Sequence, residues 1–404
     1  MQFYRGLFAG LPREVWNLSV ISFVQRSGTM VLPFLTLYLT TRQGFSGKEA
    51  GVVLSLYGIG AIAGAYVGGW LSDRIGAMSA QLVSFCLSAG GLLLLSTMQS
   101  PHTIIVVVLL WSIVTESSRP ANATALAELS SPALHVRAFS LRRLATNLGM
   151  SIGPAMGGVI AAYSYRWLFF IEAGVSLLAA GLLWWLFPQA LHVVLSQGYD
   201  HTTRVSPQIT LRSPWHDGVF LVIVGLVTLL ATVLCQLFVT YPLTFNEQYH
   251  LPEYTIGLVF TLNTLVIVVF QMPIVRAVER FDSLKVVGVG AFLLCGGFGL
   301  LPLASTMGPI GITVLVWTLG EMLTMPLLEG FVANRSPVES RGQYMGLFSA
   351  AFSFAFVLAP VGGMWVYEVW GYQMVWLLCG IIGVFLWMAF LFLSVIVRKQ
   401  QAKI

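Results

Sequence analysis

Along the chain, long apolar runs alternate with short polar breaks, and the runs have the length of membrane-crossing helices. An apolar stretch of about 20 residues spans the hydrocarbon core of a bilayer as a helix. Runs of this kind fall near 16–39, 50–71, 80–99, 103–127, 140–162 and 167–187, and again near 218–241, 255–275, 284–305, 309–332, 342–366 and 373–396. The pattern predicts twelve helices in two sets of six. The longest polar interval, 188–214, carries His192, Gln197, Asp200, His201, Arg204, Pro207 and Arg212 and reads as a linker. The division is a six-helix bundle over 1–187, a linker over 188–214 and a second bundle over 215–404.

Composition agrees with the pattern. Hydrophobic residues make up 57% of the 404-residue chain and charged residues 9%, against roughly a quarter charged in soluble proteins. Too little polar surface exists to cover two soluble domains. The opening MQFYRGLFAGLPREVW lacks a small-residue cleavage site and reads as a retained N-terminus.

The net charge of +5 does not point to nucleic acid, because the basic residues are scattered singly over short loops. Of the 21 Lys and Arg residues, sixteen fall on the side of both termini and the linker, three (Arg42, Lys48 and Arg166) on the other, and Arg26 and Arg119 within spans. This bias predicts cytoplasmic termini. Trp16, Trp70, Trp167, Trp215 and Trp370 near span ends fit interfacial anchors.

The two sets of helices resemble each other. A shift of 205 residues superposes Glu116 on Glu321, Ser131-Pro132 on Ser336-Pro337 and Gly157-Gly158 on Gly362-Gly363. Gly149, Gly153 and Gly157 are mirrored within one residue by Ala355, Ala359 and Gly363. A duplicated six-helix unit, of the parallel-repeat kind found in secondary transporters, accounts for these coincidences.

Two strings carry a family resemblance. After the second span stands Gly69-Trp70-Leu71-Ser72-Asp73-Arg74-Ile75-Gly76, in which glycines allow a tight turn and Asp73 is suited either to accept from a helix N-terminus or to pair with neighbours of Arg74 across the bundle. The fifth span carries Gly149-Met150-Ser151-Ile152-Gly153-Pro154-Ala155-Met156-Gly157-Gly158, whose small residues permit close helix packing. The first resembles the loop signature of the major facilitator superfamily, and the second its GxxxGPxxGG exporter motif. Ala77-Met78-Ser79 replace the basic residues usual in the first signature, and the second-half counterpart, Glu279-Arg280-Phe281-Asp282, is degenerate. Together with Gln25-Arg26-Ser27-Gly28, Leu32-Pro33 and Glu116-Ser117-Ser118-Arg119-Pro120, the strings look most like bacterial proton-coupled drug and small-peptide exporters. The resemblance implies an all-α membrane fold, a gating latch at Gly69, Asp73, Arg74 and Gly76, and a central cavity lined by the first and fourth helices of each half.

Charges inside a bilayer are costly and therefore candidate sites. Glu116 and Glu321 are the expected proton carriers, and Arg26 and Arg119, with Gln25, Gln236 and Asn263, the expected substrate contacts. A permanent salt-bridge network is the competing reading for the charged set. Tyr38, Tyr57, Asn122, Tyr241 and Gln271 either complete the pocket or serve as ordinary helix contacts. Glu329 is expected at a gate or the surface, and Glu172 in a structural pair with Arg166.

Enzymatic function finds little support: HExxH and paired Cys/His spacings are absent from the spans, as is a P-loop. Cys86, Cys235, Cys295 and Cys379 read as small hydrophobes, and all six histidines fall at span ends or in loops. The expectation is a monomeric, multi-pass protein of the bacterial inner membrane, without a cofactor or metal, whose partners are lipid, a small-molecule substrate and the proton gradient. Antiport by alternating access leads; proton-coupled uptake of an anionic or zwitterionic solute uses the same buried charges, and the sequence leaves both open.

Overall fold

In a computed structural model of the chain, residues 10–45, 47–188, 213–249, 254–304 and 306–401 are described. The opening nine residues, nearly all of the linker (189–212) and His250 lie outside them. The described residues are overwhelmingly helical and contain no strand.

The first span is broken. α1 (Arg13–Ser27) and α2 (Val31–Arg42) meet at Gly28–Met30. The sequence explains the break, since Pro33 has no N–H to donate to the Thr29 carbonyl. The freed N-terminus of α2 is satisfied from another helix: Glu172 Oε2 accepts from Met30 N at 2.9 Å and Val31 N at 2.6 Å.

α3 (Gly47–Ile75), α4 (Ala77–Leu95), α5 (Pro101–Leu129), α6 (His135–Tyr163) and α7 (Tyr165–Leu186) complete the first half. The second contains α8 (Gly218–Cys235), α9 (Tyr254–Val278), α10 (Ser283–Gly299), α11 (Met307–Arg335), α12 (Arg341–Trp370) and α13 (Tyr372–Gln401). The seventh span runs beyond α8 through a 3₁₀ turn, Gln236–Phe238, and a short helical stretch, Thr240–Leu243. Among the described residues, eleven helical segments are long and apolar enough to cross a membrane, and Ser283–Gly299 is a shorter apolar helix at the position of the ninth sequence run. α5, α6, α11 and α12 have 29 or 30 residues, about 43 Å at 1.5 Å per residue.

The duplication is visible in the helix interiors. Pro120 of α5 and Pro326 of α11, like Pro154 of α6 and Pro360 of α12, are separated by 206 residues. Glycines set the closest approaches: a Cβ at Gly68 would overlap Ser117, and one at Gly297 would lie 2.6 Å from Trp317 N. Gly76 (φ 85°) and Gly371 (φ 82°) make the tight turns α3–α4 and α12–α13, where a side chain would be strained.

The halves meet along two seams, α3 against α12 and α6 against α9 and α11. Their hydrogen bonds and ion pairs cluster toward one end of the bundle, at the turns near 76, 131, 281 and 337. The helix order puts the linker at that end.

Candidate functional site

α5 places Glu116 and Arg119 one turn apart on a single face, as spacing by three requires. Glu116 is 13 residues from the end of α5 at Leu129, hence about 20 Å deep. Both carboxylate oxygens are engaged. Tyr57 Oη of α3 donates to Oε1 at 3.0 Å, and Arg119 Nη1 donates to Oε2 at 3.2 Å.

Arg26 stands in the last turn of α1, beside the break. It forms no ion pair or hydrogen bond through its guanidinium among the described residues. Instead it lines a cavity of about 30 Å³ with Ser22, Gln25, Ser118, Arg119, Asn122 and Arg142. Asn122 Nδ2 donates to Ser22 Oγ at 3.1 Å across this space.

The second half repeats the carboxylate and changes its partners. Asn263 Nδ2 of α9 donates to Glu321 Oε2 at 2.9 Å and to Thr318 Oγ1 at 3.1 Å. At an offset of 206, Asn263 occupies the position of Tyr57. The other Glu321 oxygen accepts from Arg143 of α6, a residue of the opposite half. Two more ion pairs cross the same seam: Arg142 with Glu329 of α11, and Arg137 with Glu279 at the end of α9. Seam two is therefore held by three arginines of α6 on three carboxylates of the second half.

Seam one is built differently. A Cβ at Gly69 would overlap Gly342 O and lie 2.9 Å from Gly346 Cα, so backbone meets backbone. Asp73 accepts from Gly342 N at 2.6 Å and Gln343 N at 2.9 Å, capping α12 from the other half. Arg74 lies over the Trp70 ring, 5.0 Å from its centroid, and Gly76 starts α4. The degenerate second-half string has divided the same duty: Glu279 reaches across to Arg137, while Asp282 caps its own α10 through Lys285 N and pairs with Arg398.

The glycine string of α6 packs on the broken first span. A Cβ at Gly149 would stand 2.8 Å from Arg26 Cβ, at Gly153 2.8 Å from Thr29 O, at Gly157 3.0 Å from Phe34 Cε2 and at Gly158 3.5 Å from Phe34 Cζ, with Pro154 inside the helix. In the second half Gly363 faces Gln236, whose amide donates to Ala359 O at 3.1 Å and accepts from Thr240 Oγ1 at 2.9 Å. Gln236 thus joins two helices and does not face the charged cavity; Gln25 does. Glu172 binds the α2 N-terminus and not Arg166, which lies over the Phe170 ring.

Arg137, Arg142 and Arg143 belong to the sixteen basic residues counted for the linker side, and the sequence reading gives them no role beyond orientation. Spacings of one, five and six residues do not share a helix face, so no periodic signal in the sequence marks the three as partners in one seam.

Comparison with known proteins agrees with this architecture. The family model described as Major Facilitator Superfamily matches residues 18–243 and 221–404. The MFS-type transporter YqjV of Bacillus subtilis is 26% identical over 360 residues, covering 87% of this chain and 84% of its own. Multidrug resistance protein MdtH of Proteus mirabilis is 23% identical over 360 residues, covering 88% of each chain. Among solved structures, the human organic anion transporter MFSD10 (TETRAN) superposes with a TM-score of 0.71 at 16% identity, over 94% of this chain and 99% of that one. The chain belongs to the major facilitator superfamily of membrane transporters.

Proposed function

We propose that this transporter is a proton-coupled exporter of the bacterial inner membrane, working as a monomer with its termini in the cytoplasm. One observation carries the reading: Glu321, deep in α11, binds Arg143 of the opposite half. Protonating Glu321 removes the charge that holds Arg143, and breaking a buried pair on one side costs about 3–5 kcal/mol. The cost is relieved when the halves separate at the linker side. A proton entering from outside thus unlocks the inner face. Its departure to the cytoplasm, with substrate bound, restores the pair and closes that face behind the cargo.

Glu116 serves as the second proton site. Its protonation frees Arg119 while Tyr57 remains a partner, so charge in the first half is coupled to the cavity beside Arg26. The sixteen-to-three distribution of Lys and Arg supports cytoplasmic termini. Export is supported by the GxxxGPxxGG string and by the name of the MdtH relative.

The test is substrate-driven proton flux in proteoliposomes, read with a pH-sensitive dye across lipophilic cations, dipeptides and organic acids. Coupling through Glu321 predicts flux in the wild type and its loss in Glu321→Gln, with Glu116→Gln at least strongly impaired. Undiminished flux in both variants, or transport with no proton movement, refutes the mechanism.

A further inference from the structure

The central charges do not balance. Arg119, Arg142 and Arg143 are each matched by one carboxylate, respectively Glu116, Glu329 and Glu321. Arg26 is the fourth arginine of the group and has no such partner among the described residues. Glu172, the remaining acid nearby, is committed to the N-terminal N–H groups of α2, which carry about half a positive charge of their own.

An unmatched guanidinium at this depth is costly unless it is wetted or something negative meets it. The cavity has the donors for that. Arg119 and Arg142 each use one N–H on their carboxylate out of five on a guanidinium. The hydroxyls of Ser22 and Ser118 spend their protons on the carbonyls of Leu18 and Thr115, which leaves the arginines as its charged donors, with the Gln25 amide beside them. Its volume of about 30 Å³, where roughly 10–15 Å³ admits one water, suits a group of a few heavy atoms.

We infer that the cavity between α1, α5 and α6 binds a compact anion, a carboxylate group or an inorganic anion of similar size, on Arg26 and Arg119. Arg26 holds it in every protonation state of Glu116; Arg119 joins when Glu116 releases it. Loading and protonation of Glu116 then favour each other. The purpose of the site rests on the transporter reading above, but its occupancy does not.

The test is therefore binding, not flux. Trifluoroacetate, which stays ionised throughout, is added to the protein in nanodiscs of zwitterionic lipid, and broadening of its fluorine NMR line is followed. Saturable broadening is expected, displaced by acetate or chloride and not by uncharged acetamide. Displacement by acetate alone assigns the site to carboxylates; equal displacement by chloride assigns it to compact anions generally. Arg26→Gln is expected to weaken binding about tenfold, a single decade of the affinity scale. Arg26→Lys keeps most of the binding, Glu116→Gln tightens it severalfold, and Arg42→Gln, on the far surface, leaves it unchanged. Absence of displaceable broadening, or equal affinity in wild type and Arg26→Gln alongside no tightening in Glu116→Gln, overturns the inference. Proton flux persisting without anion binding would leave the transport mechanism standing and remove this site.

Discussion

The two seams between the halves solve one problem with different chemistry. At the first, glycine backbones of α3 and α12 touch and a single carboxylate, Asp73, caps the facing helix. At the second, Arg137, Arg142 and Arg143 of α6 reach three glutamates on α9 and α11. The pseudo-symmetric positions make the contrast sharp: Gly342 of α12 corresponds to Arg137 of α6 at the 205-residue offset. Steric fit has no protonation state, whereas an ion pair does. The glycine contacts fix the closed geometry by shape, with Asp73 as their one charged cap; on the proposed mechanism the ionic seam makes that geometry sensitive to protons.

The largest effect is expected where nothing can give. Gly342→Leu drives a side chain into Gly69 O and Asp73, and overpacking of this kind costs about 1–3 kcal/mol or more. A spin-label pair across the linker side is expected to report a shift of about tenfold to a hundredfold away from the closed state. Retention of the wild-type distance distribution would show that the glycine seam is not what defines closure.

The ionic seam offers a reversible break. Glu329→Arg should open the linker side by a comparable amount, and adding Arg142→Glu should recover most of the loss, since removing one member of a buried pair leaves the other stranded. Failure of the double exchange to recover closure would mean that the pair is incidental. Arg137→Ala, at the more exposed pair with side chains 20% and 26% accessible, is expected to cost only about 1 kcal/mol or less.

The smallest effect sharpens the comparison by lying off both seams. Asp217 caps α8 through Phe220 N and takes Arg335 in two hydrogen bonds of 2.6 and 2.7 Å. Burial alone raises its carboxyl, but the bonds from Arg335, Phe220 N and Tyr344 and the charge on Arg335 outweigh it and hold it below the usual carboxylate range. A depressed carboxyl contributes stability above its unfolded value and loses it as pH falls through the folded one. Asp217→Asn should therefore lower thermal stability at neutral pH, with the gap to wild type narrowing in acid, while proton coupling is unchanged. A constant gap would contradict the assignment.

Much of this organisation was legible in the sequence, and unevenly so. Span length is a local pattern and the repeat at Glu116 and Glu321 a fixed offset along the chain, and both can be read without coordinates. Asp73 was readable as either a helix cap or half of an ion pair, and its hydrogen bonds to Gly342 N and Gln343 N decide for the cap. The partners across the seams were not legible: Glu321 and Arg143 are 178 residues apart, and nothing in either helix's periodicity names the other. The break at Gly28–Met30 was hidden for a related reason, since Leu32-Pro33 shows where a helix is weakened but not that Glu172, 142 residues away, supplies the cap. Gln236 illustrates the converse. A polar residue in an apolar run predicts a contact, and only packing decides whether the contact is a helix neighbour or a cavity.

The most direct test of the account is the distance distribution across the linker side, measured by pulsed spin-label spectroscopy at neutral and acidic pH in wild type and Glu321→Gln. The account predicts a wild type that is closed at neutral pH and opens in acid, and a variant already shifted open whose response to pH is much reduced. A Glu321→Gln protein that stays closed at neutral pH and opens in acid like the wild type would contradict it, and would place the proton-sensitive lock elsewhere.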